Sequence, residues 1–197
     1  MLWGLILVLF SLATEPASAA PPQGQLTIAS HISLAPTWFD PAETSGIITP
    51  YMVMYALHDA MVKPMPGGNS TPGLAESWTI SEDGRIYEFV LRQVSKFHDG
   101  SSVTAEDVKF SFQRYRGASH AMMHDRVTAI DIPDPRHVRF VLKEPWPDFL
   151  TFYGNATGAA WIVPKAYLEK VGDEGFKKRR SALVLTSSSR SIPVSSS

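Results

Sequence analysis

The side chains with the widest chemical range in this sequence are its histidines and their acidic neighbours. His120 and His124 stand four residues apart, with Asp125 adjacent. On a helix two histidines at that spacing share a face and can hold a divalent metal. Spacing alone supplies no third ligand, and a solvated surface segment is the plainer reading. No metal or other cofactor is therefore assigned. His58 and Asp59 are chain neighbours, as are His98 and Asp99. Consecutive side chains face apart on a helix or a strand, so neither couple is read as a catalytic pair. There is no G-x-S-x-G or H-E-x-x-H motif, and no glycine-rich phosphate loop follows a strand. The chain has no cysteine, which excludes a thiol nucleophile, a Cys-based zinc site and a disulfide framework. None of these residues assembles a recognisable catalytic constellation by spacing alone.

Composition agrees with a folded chain. Of 197 residues, 44% are hydrophobic and 19% charged, which suits a globular protein and argues against disorder. A formal net charge of −1 gives no electrostatic reason to expect nucleic acid or an anionic membrane as partner. The first residues, MLWGLILVLFSLA, form an apolar run ended by Glu15 and Pro16. It is shorter than the roughly 20 residues needed to span a bilayer. Ala17-Ser18-Ala19 follows with small residues where a signal peptidase reads. The expectation is a signal peptide over residues 1–20, although no Lys or Arg precedes its apolar run.

The elements that must position any site alternate between short strands and helices. Residues 25–30 read as a strand entering a polar loop that runs through Trp38 and Asp40 to Gly46. Apolar residues at helical spacing predict a helix from 49 or 50 to 62, and residues 64–73 read as a turn-rich connection. Asp83-Gly84 between β-rich runs predicts a hairpin, with Tyr87, Phe89 and Leu91 on its buried face. Thr104 opens a helix with Glu106 and Asp107 in its first turn and an apolar stripe of Val108, Phe112 and Tyr115. A second hairpin joins VTAIDI (127–132) to HVRFVL (137–142) through Pro133-Asp134-Pro135. A short helix at DFLTFYG, a strand over 159–163 and a helix from Pro164 to about Val171 complete the pattern. The class is α+β, a mixed sheet with hairpins and short helices.

Residues 74–117 read LAESWTISEDGRIYEFVLRQVSKFHDGSSVTAEDVKFSFQRYRG. The order and spacing of LAESW, the DG turn, the Y-F-LR strand, KFHDG and TAEDVKFSF resemble the signature region of the family 5 extracellular solute-binding proteins. VRFVLKEPWPDFL and IVPKAYLEKVG resemble the same family, and the likeness covers about residues 25–178. Gln93-Val94 departs locally, standing where relatives carry a small turn residue before the apolar position. The resemblance implies the first lobe of a two-lobed periplasmic binding protein of the type II, peptide-binding class. It implies a monomer in the periplasm that hands a peptide or other small solute to an ABC permease. By the same resemblance Thr44, Ser45 and Gly46 face the ligand backbone and Trp38 lines the pocket.

The sequence departs from that family after residue 178. Seven of the last eleven residues are serine. Permitted codons for residues 179–197, read across their boundaries, yield PIGAGPYKFVSFNPGVEL, a P-x-G-x-GPY-KF segment like that of the family. The expectation is an incomplete first lobe over 21–178, followed by an aberrant tail over 179–197 from a frameshift. The competing readings are a secreted metal-dependent enzyme using His120, His124 and a carboxylate, and a non-functional product of a disrupted gene. The nucleotide sequence checks the frameshift: its third bases are expected to spell that string in the shifted frame. Any base forbidding it defeats the reading.

Overall fold

The computed structural model describes residues 40–43, 54, 57–66, 68–154, 157–178 and 184–185, all within a contact unit spanning 34–197. Its centre is an antiparallel four-stranded sheet. Strand β3 is Ala75–Ile80, β4 is Ile86–Leu91, β6 is Val127–Asp134 and β7 is His137–Leu142, in the order β3-β4-β7-β6. Strand β4 alternates half-buried and buried residues, and Tyr87, Phe89 and Leu91 point inward as expected. Strand β7 repeats the pattern with Val138, Phe140 and Leu142. Register places Tyr87 opposite Phe140 and Phe89 opposite Val138, so large side chains from adjacent strands meet on one face. On the other face Arg139 donates twice to Glu88, at 2.9 and 2.8 Å.

The β3–β4 turn closes at Gly84, where φ is +67°, a conformation open to glycine without steric cost. The Gly84 N–H donates to the Ser81 carbonyl at 2.9 Å, and the Asp83 carboxylate accepts from the Ser81 hydroxyl at 2.6 Å. The second hairpin turns one step later than expected, because β6 continues through Pro133 to Asp134.

Upstream, the structure replaces an expected connection with a hairpin. Strand β1, Val62–Met65, pairs with β2, Gly68–Pro72, so Val62 lies in a strand and not at a helix end. Of the helix expected from 49 or 50 to 62, residues 49–53 and 55–56 lie outside the described residues, Met54 and Leu57 are helical, and 58–61 are not, Ala60 forming a bridge to Trp161 instead; the strand at 25–30 also lies outside the described residues. Strand β5, Lys96–Phe97, pairs with β8, Val184–Leu185, inside the segment read as a tail.

Helix α1, Ala105–Arg114, covers the sheet with Ala105, Val108 and Phe112, and Tyr115 is buried just beyond it. Helix α2, His120–Arg126, follows at once, and α3 is the single turn Phe149–Phe152. Helix α4, Lys165–Lys178, is broken at Gly172, where φ is +67°. Residues 159–163 are buried but, among the described residues, make a single bridge, Trp161 to Ala60, and no ladder.

The core is aromatic. Phe140 lies 5.7 Å from Phe89, 5.5 Å from Phe112 and 4.8 Å from Tyr153, centroid to centroid. Two buried tyrosines differ in one respect. The Tyr87 hydroxyl donates to the Trp146 carbonyl at 2.9 Å, whereas the fully buried Tyr153 hydroxyl has no hydrogen-bond partner. Burial holds both phenols above their ordinary pKa. An unpaired buried hydroxyl keeps its desolvation cost. Tyr153→Phe is therefore expected to raise stability in urea melts by about 1 kcal/mol, and Tyr87→Phe to lower it by about the same amount.

Candidate functional site

The residues expected to meet a ligand, Trp38, Thr44, Ser45 and Gly46, lie outside the described residues. The piece of chain between them, residues 40–43, is described, and it is held by a buried ionic clamp. Asp40 is fully buried and accepts two hydrogen bonds from Arg114 of α1, the Nη1 contact at 2.6 Å. The same carboxylate accepts the Ala42 N–H at 3.0 Å. Arg114 also donates to Asp173 of α4, at 3.1 Å from Nε and 2.8 Å from Nη2. The Arg116 N–H donates to the Ala42 carbonyl at 2.8 Å, and Lys177 pairs with Glu43 at 3.1 Å. The segment is thereby tied to both helices.

Arg114 belongs to a polar stripe that the sequence reading missed. Asp107, Ser111 and Arg114 stand at i, i+4 and i+7, beside the apolar stripe, and all three are buried. The Asp107 carboxylate accepts the Thr104 N–H at 2.9 Å at the start of α1. It also accepts the Lys165 N–H at 2.9 Å at the start of α4. One acid thus serves two helix N-termini, whose first N–H groups lack intrahelical partners. The Ser111 hydroxyl accepts the Val163 N–H at 2.9 Å. This stripe aligns the segment 158–163 with residues 40–43, and Pro41, Ala42, Gly158 and Trp161 line one recess. Nearby, the buried Asp59 accepts from the Lys63 ammonium at 2.7 Å, and the Asp59 carbonyl accepts the Ile162 N–H at 3.2 Å. Asp59 is thus structural, and the His58 ring packs edge-on against Trp161 at 6.2 Å.

The other sequence candidates separate. His98 and Asp99 sit in an exposed turn, where Asp99 accepts the Ser101 hydroxyl at 2.6 Å. His120 and His124 do meet, with ring centroids 4.3 Å apart. Asp125 turns away to Lys143 at 3.6 Å. Burial, reinforced by His120, pushes the His124 pKa down. Among the described residues no group of three His, Cys, Asp or Glu side chains could hold a metal, so the enzyme reading gains no support there.

Burial opposes the charge on Arg114, but Asp40 and Asp173 more than offset it and hold its pKa above the ordinary value. The hydrogen bond from Arg114 holds the Asp173 carboxyl below its ordinary value of 3.8. A lowered folded-state pKa contributes stability above 3.8 that is lost as pH falls through the lowered value. Asp173 is partly exposed, so Asp173→Asn is expected to cost about 1 kcal/mol or less at pH 7. That difference from the parent should shrink as pH drops below 3.8 and vanish below the lowered folded-state value. Arg114→Leu leaves the Asp40 carboxylate buried without its cation and should cost about 3–5 kcal/mol in denaturant melts.

The geometry has close counterparts. Residues 69–186 match the family described as bacterial extracellular solute-binding proteins, family 5 Middle. The di/tripeptide-binding protein 2 of Pseudomonas aeruginosa is 35% identical over 166 residues, covering 73% of this chain and 31% of that protein. The probable D,D-dipeptide-binding periplasmic protein DdpA of Escherichia coli is 34% identical over 177 residues, covering 84% and 33%. The chain therefore spans about a third of the length of these curated relatives. Among solved structures, AgaA of A. tumefaciens R10 in complex with agropinic acid is 29% identical with a TM-score of 0.61, covering 72% of this chain and 29% of that one. OppA of Haemophilus influenzae in complex with RPPGFSPFR shares the fold, with a TM-score of 0.65 at 24% identity over 76% of this chain and 33% of that one. No helix among the described residues is long and apolar enough to cross a membrane. The signature hairpin and helix, the architecture and the family match agree: this chain belongs to the family 5 extracellular solute-binding proteins.

Proposed function

We propose that this chain is the N-terminal part of a periplasmic component that delivers a peptide or related small solute to an inner-membrane ABC permease. The observation that carries the reading is the clamped segment 40–43, fixed by Arg114 and Lys177 beside Trp161. A buried, doubly bonded carboxylate is a costly way to hold a loop unless the loop's position matters. Trp38, Thr44, Ser45 and Gly46 flank that segment and present the ligand-facing surface in this proposal. Residues 1–20 direct export and are removed, and the mature protein acts as a monomer. Residues 179–197 are an out-of-frame tail, of which the described residues, Val184–Leu185, pair with β5.

Two-lobed binding proteins hold solute by hinge closure. Residues 21–197 taken by themselves correspond to about a third of the length of the curated relatives, short of two complete lobes. Calorimetry with a panel of di- and tripeptides is expected to give no saturable binding to residues 21–197. A chain in which the shifted frame is restored is expected to bind, and Trp38→Ala in that chain to weaken the affinity by about tenfold. Equal affinity of the short and restored chains overturns the one-lobe reading. Unchanged affinity of the Trp38→Ala chain overturns the assignment of the loop.

A further inference from the structure

The His120–His124 pair is not the solvated segment that its spacing suggested. Both rings are half-buried, and His124 stacks on Phe112 at 4.9 Å with 22° between the planes. His124 Nε2 lies 3.3 Å from the Phe112 carbonyl oxygen. A carbonyl only accepts, so Nε2 carries the proton and Nδ1 keeps its lone pair. That carbonyl is in the last turn of α1 and also accepts the Tyr115 N–H at 3.2 Å, and a carbonyl oxygen with two lone pairs can take the ring N–H as well. A ring fixed by stacking, with one nitrogen anchored to a backbone carbonyl, is the arrangement that orients a metal-binding histidine. Helical side chains lean toward the N-terminus, which carries His124 over the turn bearing His120. Among the described residues no hydrogen bond restrains the His120 ring, which lies 4.3 Å from the His124 ring and can turn to meet a shared ion.

We propose that His120 and His124 form a two-nitrogen site for a borderline divalent transition metal, with Cu²⁺ bound more tightly than Zn²⁺. Metal–imidazole bonds of about 2.0–2.1 Å are compatible with rings this close after a modest rotation of His120. Imidazole donors suit copper and zinc, and copper stands above zinc in the affinity order of the divalent ions. The remaining coordination positions take water or a small chelating ligand, because no third protein ligand is gathered among the described residues. A recess of about 140 Å³ adjoining His124, edged by Gln113 and Thr128, leaves room for them.

The test titrates the tag-free mature chain with CuCl₂ and with ZnCl₂ at pH 7.5, by calorimetry and by electron paramagnetic resonance for copper. One saturable site, tighter for copper, with two nitrogen ligands in the copper spectrum is the expected result. His120→Ala removes a ring that no hydrogen bond holds, so its melting curve without metal should match the parent. It should weaken copper binding at least about tenfold, because the second linked ligand acts at high effective concentration. His124→Phe keeps the stack on Phe112 while deleting both nitrogens, and should do the same. Copper binding of unchanged affinity and spectrum in either variant overturns the site. So does no saturable binding by the parent at millimolar metal.

Discussion

Helix α1 carries two stripes that must both be buried, and the rest of the structure is arranged around that requirement. Its apolar stripe, Ala105, Val108 and Phe112, lies on the sheet. Its polar stripe, Asp107, Ser111 and Arg114, is buried as well and cannot be left without partners. Each member is answered: by the Lys165 and Val163 N–H groups and the Asp173 carboxylate from 163–173, and by the Asp40 carboxylate from 40–43. The starts of α1 and α4 meet at Asp107, and their later turns meet at Arg114, so the two helices run side by side in the same sense. Gly172 breaks α4 one residue before Asp173, which lets that carboxylate reach back to Arg114. The polar stripe thus specifies which neighbour lies where, a task that non-directional apolar contact performs poorly.

The sheet supplies the stiffness that makes such specification useful. Phe89, Phe112, Phe140, Phe149 and Tyr153 form a continuous cluster of offset and edge-on rings. Such packing resists rearrangement, since interiors are near crystal density. A helix seated on this cluster is a fixed platform, and the Asp40–Arg114 clamp transfers that fixity to a chain segment 74 residues away in sequence.

What could be read from sequence was what depends on neighbours in the chain. The Asp83-Gly84 turn, the inward faces of 86–91 and 137–142, and the start of α1 follow from local conformational preference and short periodicity. The β1–β2 hairpin was not legible, because its strands contain Pro64, Gly68 and Pro72. Its pairing is set instead by tertiary bonds such as Leu74 N–H to the Ala60 carbonyl. Residues 159–163 have the apolar content of a strand, yet their donors go to the Thr157 and Ser111 hydroxyls and to the Gly158 and Asp59 carbonyls. The acids of α1 were correctly placed in its first turn, but their dipole role concealed that Asp107 also caps a helix 58 residues away. Its spacing with Ser111 and Arg114 was visible; that the stripe was buried was not, since polar residues at helical spacing ordinarily face water.

The same distinction explains why the family is easier to identify than its chemistry. The segments that resemble relatives most specifically, 74–91 and 96–115, build the sheet, its turns and the two-striped helix. These residues are constrained by each other through bonds of fixed geometry, so their spacing is strict. Residues 40–43 are held to that scaffold at three points, by the Asp40–Arg114 and Glu43–Lys177 pairs and by the Arg116 N–H on the Ala42 carbonyl. The strict spacing that identifies the family therefore belongs to the scaffold, and Arg114 is the residue that joins that scaffold to residues 40–43 through a buried carboxylate.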